Sequence, residues 1–90
     1  MIREDWIIEV VAANVRKHRE NIGISQEALA AKAGVHRTYM SQIERGLSNL
    51  TIVALARIAN ALGVRPEQLL AAPHPEAARR ASQDPGNEED

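Results

Sequence analysis

The sequence predicts an all-α fold of five short helices. Apolar and small residues recur at the three-and-four spacing that places them on one stripe of a helix. Three residues that favour helix starts, Ser25, Thr51 and Pro66, stand at the beginnings of these stretches. Glycines that can adopt the left-handed conformation of a helix end follow four of the stretches: Gly23, Gly34, Gly46 and Gly63.

The first helix is predicted from residue 5 to about residue 20, with Asp5 as its N-terminal cap. Its apolar side consists of Trp6, Val10, Val11 and Val15. Two roles remain open for Trp6 and Ile7, because they can cover the bottom of the core or contact a second copy of the chain.

Residues 25–46 form two predicted helices separated by a tight turn at Gly34. Ser25 caps the second helix, and the third helix begins near His36. The positions that face inward on the two helices and the turn are Leu29, Ala30, Ala33, Val35, Met40 and Ile43.

The opposite side of the third helix is polar and carries no acidic residue. At about 100° per residue, five side chains fall within one arc of roughly 140°. We call these side chains the polar face; they are Arg37, Thr38, Ser41, Gln42 and Arg45. A guanidinium, hydroxyls and a primary amide can pair with base edges in the major groove of DNA. A helix-turn-helix also projects its second helix outward, so the pattern indicates DNA binding; the alternative is an ordinary solvated face.

The segment SQEALAAKAGVHRTYMSQIERG resembles the helix-turn-helix signature of the phage-repressor-like, Xre/Cro-type family of bacterial DNA-binding proteins. The resemblance extends from about residue 11 to residue 70. Within that family, HRTYMSQIERG followed by SNLT is especially similar to the controller proteins of restriction-modification systems. The resemblance implies a compact five-helix, lambda-repressor-like DNA-binding domain.

The exposed N-terminal end of the third helix enters the groove most deeply in this arrangement. Arg37 and Thr38 are therefore the first candidates for base contacts, followed by Ser41 and Gln42 one turn later. The resemblance implies contacts with the DNA backbone from Gln26, Arg45 and Asn49. The last two could instead stabilise the turn, and Gln26 could simply face solvent.

Two more residues are candidates for contacts with the DNA backbone. His36 departs from the family pattern, which has Ser or Thr at this helix start; it is a poorer cap and could contact phosphate instead. Tyr39 lies at the edge of the arc, where it could stack on the sugar-phosphate backbone, donate its hydroxyl to phosphate or be partly buried.

A structural ion pair is also implied by the resemblance. The family commonly pairs an arginine at the position of Arg19 with the glutamate near the end of the recognition helix, here Glu44. Such a pair would be structural if it is buried, whereas a solvated surface pair would contribute little to stability.

Thr51 is the expected cap of a fourth helix, and Pro66 opens a short fifth one. The apolar stripe of the fourth helix is Ile52, Leu55, Ile58, Ala59 and Leu62. The apolar surface near the fifth helix is larger than so small a domain can cover. The residues that provide it are Val64, Leu69 and Leu70. Because the resembling family dimerises through this end, these three residues are the predicted dimer interface.

We expect a domain boundary near residue 72, with a DNA-binding domain over residues 1–72 and a flexible acidic tail over residues 73–90. The formal net charge of −1 argues mildly against nucleic-acid binding. However, the first 72 residues hold nine Lys and Arg against seven Asp and Glu, and the tail holds two against five. Since phosphate affinity depends on local cations, this distribution is compatible with DNA binding.

Several classes of protein are excluded by composition. Ninety residues leave no room for a separate catalytic domain, and the absence of cysteine rules out disulfides and thiolate metal sites. The three histidines, His18, His36 and His74, do not form a metal-ligand pattern. No signal peptide or membrane span is evident. We therefore expect a cytoplasmic protein that is not an enzyme and has no metal, cofactor or small-molecule substrate.

The sequence thus predicts a sequence-specific transcriptional regulator that binds double-stranded DNA as a homodimer. Two-fold symmetry calls for an inverted-repeat operator with half-sites about 34 Å apart. A restriction-modification controller is one version of this function. The alternative is an antitoxin-type protein-interaction module with autoregulatory DNA binding. A third possibility, favoured only by the near-neutral charge, is a domain that has lost DNA binding.

Overall fold

The computed structural model describes residues 3–71, which are helical and contain no strand. A short 3-10 helix, Arg3–Asp5, leads into five α-helices. Their bounds are Trp6–Ile22 for α1, Gln26–Ala33 for α2, Arg37–Glu44 for α3, Ile52–Leu62 for α4 and Pro66–Leu69 for α5. The all-α, five-helix prediction is confirmed.

Side-chain caps fix the starts of α2 and α4. The Ser25 hydroxyl accepts a hydrogen bond from the Ala28 N–H at 3.0 Å, and the Thr51 hydroxyl accepts one from the Ala54 N–H at 3.0 Å. Each hydroxyl satisfies a backbone donor that the first turn of a helix leaves without an internal partner. Both helices therefore begin where these two residues predict.

The prediction that Asp5 caps α1 is wrong. Asp5 belongs to the 3-10 helix that runs directly into α1, and its backbone is already helical, with φ −58° and ψ −23°. A side-chain cap needs an extended residue at that position, and the Asp5 side chain makes no capping hydrogen bond. At its other end, α1 continues past the predicted terminus to Ile22.

All five helices contribute to one hydrophobic core. Side chains with no exposed surface come from α1 (Val15), α2 (Leu29), α3 (Met40), α4 (Ile58) and α5 (Leu69). Burying one large apolar side chain contributes about 1.5–3 kcal/mol, so these contacts account for much of the stability. The inward positions predicted on α2 and α3 are buried, and Val35 in the turn is partly buried against them.

One residue of the predicted α4 stripe lies outside the core. Ile52 is 83% exposed, whereas Leu55, three residues later, is buried. Because Ile52 is the first residue of α4, it lies beyond the edge of the region where the helices converge. Its side chain lines a surface groove instead.

The predicted dimer residues have three different environments. Leu69 is fully buried, so its assignment to the dimer interface is wrong. The chain turns back at α5 to pack on α1 and α4, and the Asn14 amide of α1 donates to the Leu69 carbonyl oxygen at 2.9 Å. Val64 is half-buried against the core, whereas Leu70 remains 41% exposed.

Within residues 3–71, no helix has both the length and the apolar character that a membrane span requires. The predicted tail, residues 73–90, and the boundary at residue 72 lie outside the described residues.

Candidate nucleic-acid interface

The inner side of α3 is held by a buried carboxylate. The Glu44 side chain is only 1% exposed. Arg19 of α1 donates to it twice, from Nε to Oε2 at 2.7 Å and from Nη2 to Oε1 at 3.1 Å. Gln26 of α2 donates from Nε2 to Oε1 at 3.0 Å. The ion pair that the resemblance implied is thus present, and a third side chain extends it so that it joins α1, α2 and α3.

Arg19 remains charged in this environment. Hydrogen bonding to the Glu44 carboxylate raises the pKa of Arg19 above its ordinary value, against the opposing effect of burial. Its Nη1 also donates to the Ile24 carbonyl oxygen at 2.8 Å, in the turn before α2. The same guanidinium therefore fixes both α3 and the turn that leads into α2.

A second arginine of α1 holds the end of α3. Arg16 Nη1 donates to the Glu44 backbone carbonyl oxygen at 2.8 Å. Carbonyl groups in the last turn of a helix have no partner within the helix, so Arg16 supplies one from outside. This contact was not predicted from the sequence. The available signal was the spacing of Arg16 and Arg19, which places two guanidinium groups on the same side of α1.

The turn between α2 and α3 determines the direction of α3. Gly34 has φ +71°, and the Val35 N–H bonds back to the Ala30 carbonyl oxygen at 3.0 Å. His36 then caps α3, because its Nδ1 accepts a hydrogen bond from the Thr38 N–H at 3.1 Å. The departure from the family's Ser or Thr at this position therefore does not displace the helix start.

The polar face lies on the outer surface of the described residues. Arg37, Thr38, Gln42 and Arg45 are exposed, and Ser41 is half-buried. The Arg37 side chain is 67% exposed and donates from Nη1 to Glu27 Oε2 of α2 at 3.2 Å. This carboxylate was not predicted from the sequence, because it lies on α2 and the periodicity of α3 alone does not reveal it.

The candidates for backbone contacts divide by burial. His36, Arg45 and Asn49 are exposed, whereas Gln26 and Tyr39 are half-buried. Tyr39 packs against the core, and its hydroxyl oxygen accepts from the Thr51 N–H at 3.4 Å. Since the oxygen acts as an acceptor in that bond, the hydroxyl proton remains available to a phosphate.

A shallow apolar groove lies where the start of α1, the loop before α4 and the end of α5 meet. Its cavity volume is about 190 Å³, and it is lined mainly by Ile7, Ile8, Val11, Leu50, Ile52 and Leu70. Small-molecule sites usually enclose about 300–1,000 Å³ and include convergent polar groups, so this groove is a poor candidate for one. Among residues 3–71 there is also no cluster of side chains that could hold a metal ion.

Comparisons with known proteins agree with this geometry. The helix-turn-helix family profile matches residues 15–69. Over 64 residues the chain is 42% identical to Control protein C.SmaI of Serratia marcescens, a match covering 71% of this chain and 76% of that protein.

Two solved structures have a similar fold. The restriction-modification controller protein C.AhdI from Aeromonas hydrophila superposes with a TM-score of 0.67 at 34% identity, covering 69% of this chain and 94% of that one. The hypothetical transcription factor NHTF from Neisseria gives a TM-score of 0.73 at 36% identity, covering 92% of each chain. The chain belongs to the helix-turn-helix family of DNA-binding transcriptional regulators, and α2 and α3 are its helix-turn-helix.

Proposed function

We propose that the protein regulates transcription by binding an inverted-repeat operator as a homodimer, with α3 of each copy in the major groove. One observation carries the proposal: α3 exposes Arg37, Thr38 and Gln42 while the buried Glu44 anchors its inner side. A recognition helix held from behind in this way can enter the groove without losing its contacts with α1 and α2.

The chemistry of the polar face assigns the contacts with bases. A guanidinium pairs with guanine O6 and N7, and a primary amide pairs with adenine N6 and N7. Arg37 and Gln42 are therefore the proposed readers of guanine and adenine. Thr38 and Ser41 contribute hydroxyls that pair with either.

Contacts with the DNA backbone are proposed for the residues around the polar face. Such contacts fix the orientation of the protein on the duplex and carry no sequence information. The proposed residues are Gln26, His36, Tyr39, Arg45 and Asn49. Gln26 is expected to use the Nε2 hydrogen that does not bond to Glu44.

The relatives support a more specific role. Because C.SmaI and C.AhdI are named as controller proteins, we propose that this chain controls a restriction-modification operon, activating at one site and repressing at another. The same relatives favour the controller over the antitoxin alternative. We also propose that the protein acts in the cytoplasm and has no enzymatic activity.

The proposed dimer contact lies at the end of the protein that carries Leu70. Leu70 is 41% exposed and lines the apolar groove together with Ile7 and Ile52. A two-fold dimer places the same patch of both copies in contact, so each apolar residue of the patch is buried in both copies. Half-site recognition then requires two recognition helices about 34 Å apart.

The base-reading assignment is tested with Arg37→Ala on duplexes selected from random sequence. We expect a loss of about 1–3 kcal/mol in binding free energy and a relaxed preference at one base pair, measured by fluorescence anisotropy. Arg65→Ala is the matched control, because Arg65 is equally cationic and exposed but precedes α5. Unchanged operator affinity and an unchanged ranking of mutant sites for Arg37→Ala would contradict the assignment.

A further inference from the structure

An acidic side chain from α2 stands beside the polar face. Glu27 follows the first residue of α2, and Arg37 is the first residue of α3. Their side chains meet at 3.2 Å although they are 71% and 67% exposed, respectively. A carboxylate at this position repels phosphate. Its contact with the proposed base reader Arg37 therefore does not serve to increase DNA affinity.

Fold stability offers a weak explanation for this pair. Exposed ion pairs contribute little, and this one has a single hydrogen bond, from Nη1 to Oε2. Nε and Nη2 of Arg37 make no hydrogen bond among the described residues, so the contact is easily exchanged. Glu27 is itself well placed without Arg37, because a carboxylate in the first turn of α2 is favoured by the helix dipole.

Competition for one guanidinium has different consequences on different DNA. A phosphate offers Arg37 an exposed charge contact similar in kind to the one it gives up, so the exchange gains little. A guanine offers two hydrogen bonds at fixed geometry, worth about fivefold to 150-fold in affinity. Glu27 can therefore cancel the affinity that Arg37 gains from a phosphate without cancelling the larger affinity that it gains from a guanine.

We propose that Glu27 is a specificity-determining residue that acts through Arg37. It holds the guanidinium back from the phosphates of DNA that lacks the operator base and yields it to a bidentate base contact. This inference rests on the assignment of Arg37 to base reading under the proposed function.

The test compares Glu27→Gln with the parent protein on an operator duplex and on a random duplex of equal length. On the random duplex we expect Glu27→Gln to bind about twofold to fivefold more tightly. We also expect the slope of log affinity against log salt concentration to become steeper by up to about one, as for one added phosphate contact. The ratio of operator to random affinity should fall.

Glu67→Gln provides the matched control. Glu67 is also exposed, pairs with an arginine, Arg65, at 2.7 Å, and lies in α5. Its replacement changes the net charge by the same amount, but α5 packs on α1 and α4 and Glu67 does not contact Arg37, so both affinities should stay unchanged. Thermal unfolding of both variants verifies that each is folded at the assay temperature.

Repeating the measurement in an Arg37→Ala background separates competition from simple repulsion. Without the guanidinium, Glu27→Gln should no longer change affinity for random DNA. An equal gain with and without Arg37 would show that the carboxylate only repels phosphate, and the proposal would be overturned. No gain in the parent background would overturn it as well.

The same set of variants distinguishes this proposal from the proposed function. If Arg37→Ala weakens operator binding and Glu27→Gln has no effect on random DNA, only the role of Glu27 fails. If Arg37→Ala leaves operator affinity and site ranking unchanged, the base-reading assignment fails and the role of Glu27 fails with it.

Discussion

The buried carboxylate of Glu44 is the residue on which the position of α3 depends. It is 1% exposed and receives hydrogen bonds from Arg19 and Gln26, while Arg16 binds its backbone carbonyl oxygen. A charge in this position is tolerated only while its partners remain, because desolvation without pairing is costly. Since the pKa of Arg19 is raised above an already high value, its guanidinium stays charged, and its contribution to stability should not weaken as the pH rises through the usual experimental range.

Arg19→Met should therefore destabilise the protein strongly. The methionine keeps much of the side-chain volume but leaves the Glu44 carboxylate without its cation, which we expect to cost about 3 kcal/mol in the free energy of unfolding. Urea denaturation measures the loss. Arg65→Met, which removes an exposed ion pair, should cost less than about 1 kcal/mol. Equal losses for the two variants would contradict the structural role of the buried pair.

Helix ends are the elements that the sequence specified best, and the predicted cap at Asp5 is the exception. Ser25 and Thr51 cap helices as predicted, because a hydroxyl before an apolar repeat has a local partner in the next turn. Asp5 has the same local signal but lies in a 3-10 turn, which depends on packing rather than on residue type. His36 caps α3 although it is a weak cap by composition, because its ring nitrogen reaches the Thr38 N–H.

Gly34→Ala tests the turn between α2 and α3. An added Cβ would meet only Arg57 Nη1 at 3.9 Å, an ordinary contact, so the cost comes from the backbone at φ +71°. We expect a loss of about 1–2 kcal/mol in unfolding free energy.

Gly34→Asn is the control for that prediction. Asparagine tolerates the left-handed conformation better than alanine, so it should lose clearly less stability. Equal losses for alanine and asparagine in chemical denaturation would show that the conformation of this turn does not limit stability.

At the scale of the whole molecule, the all-α fold and most of the core were predictable, because periodicity and helix-end residues act locally. Burial at the edge of the core was not. Leu69 is enclosed because α5 turns back onto α1 and α4, and Ile52 is exposed because it is the first residue of α4; both outcomes are the reverse of the predictions. The pairing of Glu27 with Arg37 also depends on how two helices face each other, which periodicity within one helix does not reveal.

Ile52→Glu tests the proposed dimer contact. Ile52 is 83% exposed and contributes little to the core, so a charge there should weaken self-association by at least tenfold without unfolding the monomer. Sedimentation equilibrium measures the change. Ile22→Glu is the control, since Ile22 is 47% exposed at the far end of α1 and does not line the groove. A dimer affected equally by both substitutions would place the contact elsewhere.

The central claim, that α3 reads DNA from the major groove, is tested most directly by methylation protection on the selected operator. Dimethyl sulfate modifies guanine N7 in the major groove and adenine N3 in the minor groove. We predict protected guanines in two clusters one helical turn apart, with one guanine in each losing protection in Arg37→Ala. Protection confined to adenine N3, or a guanine pattern unaffected by Arg37→Ala, would contradict the account.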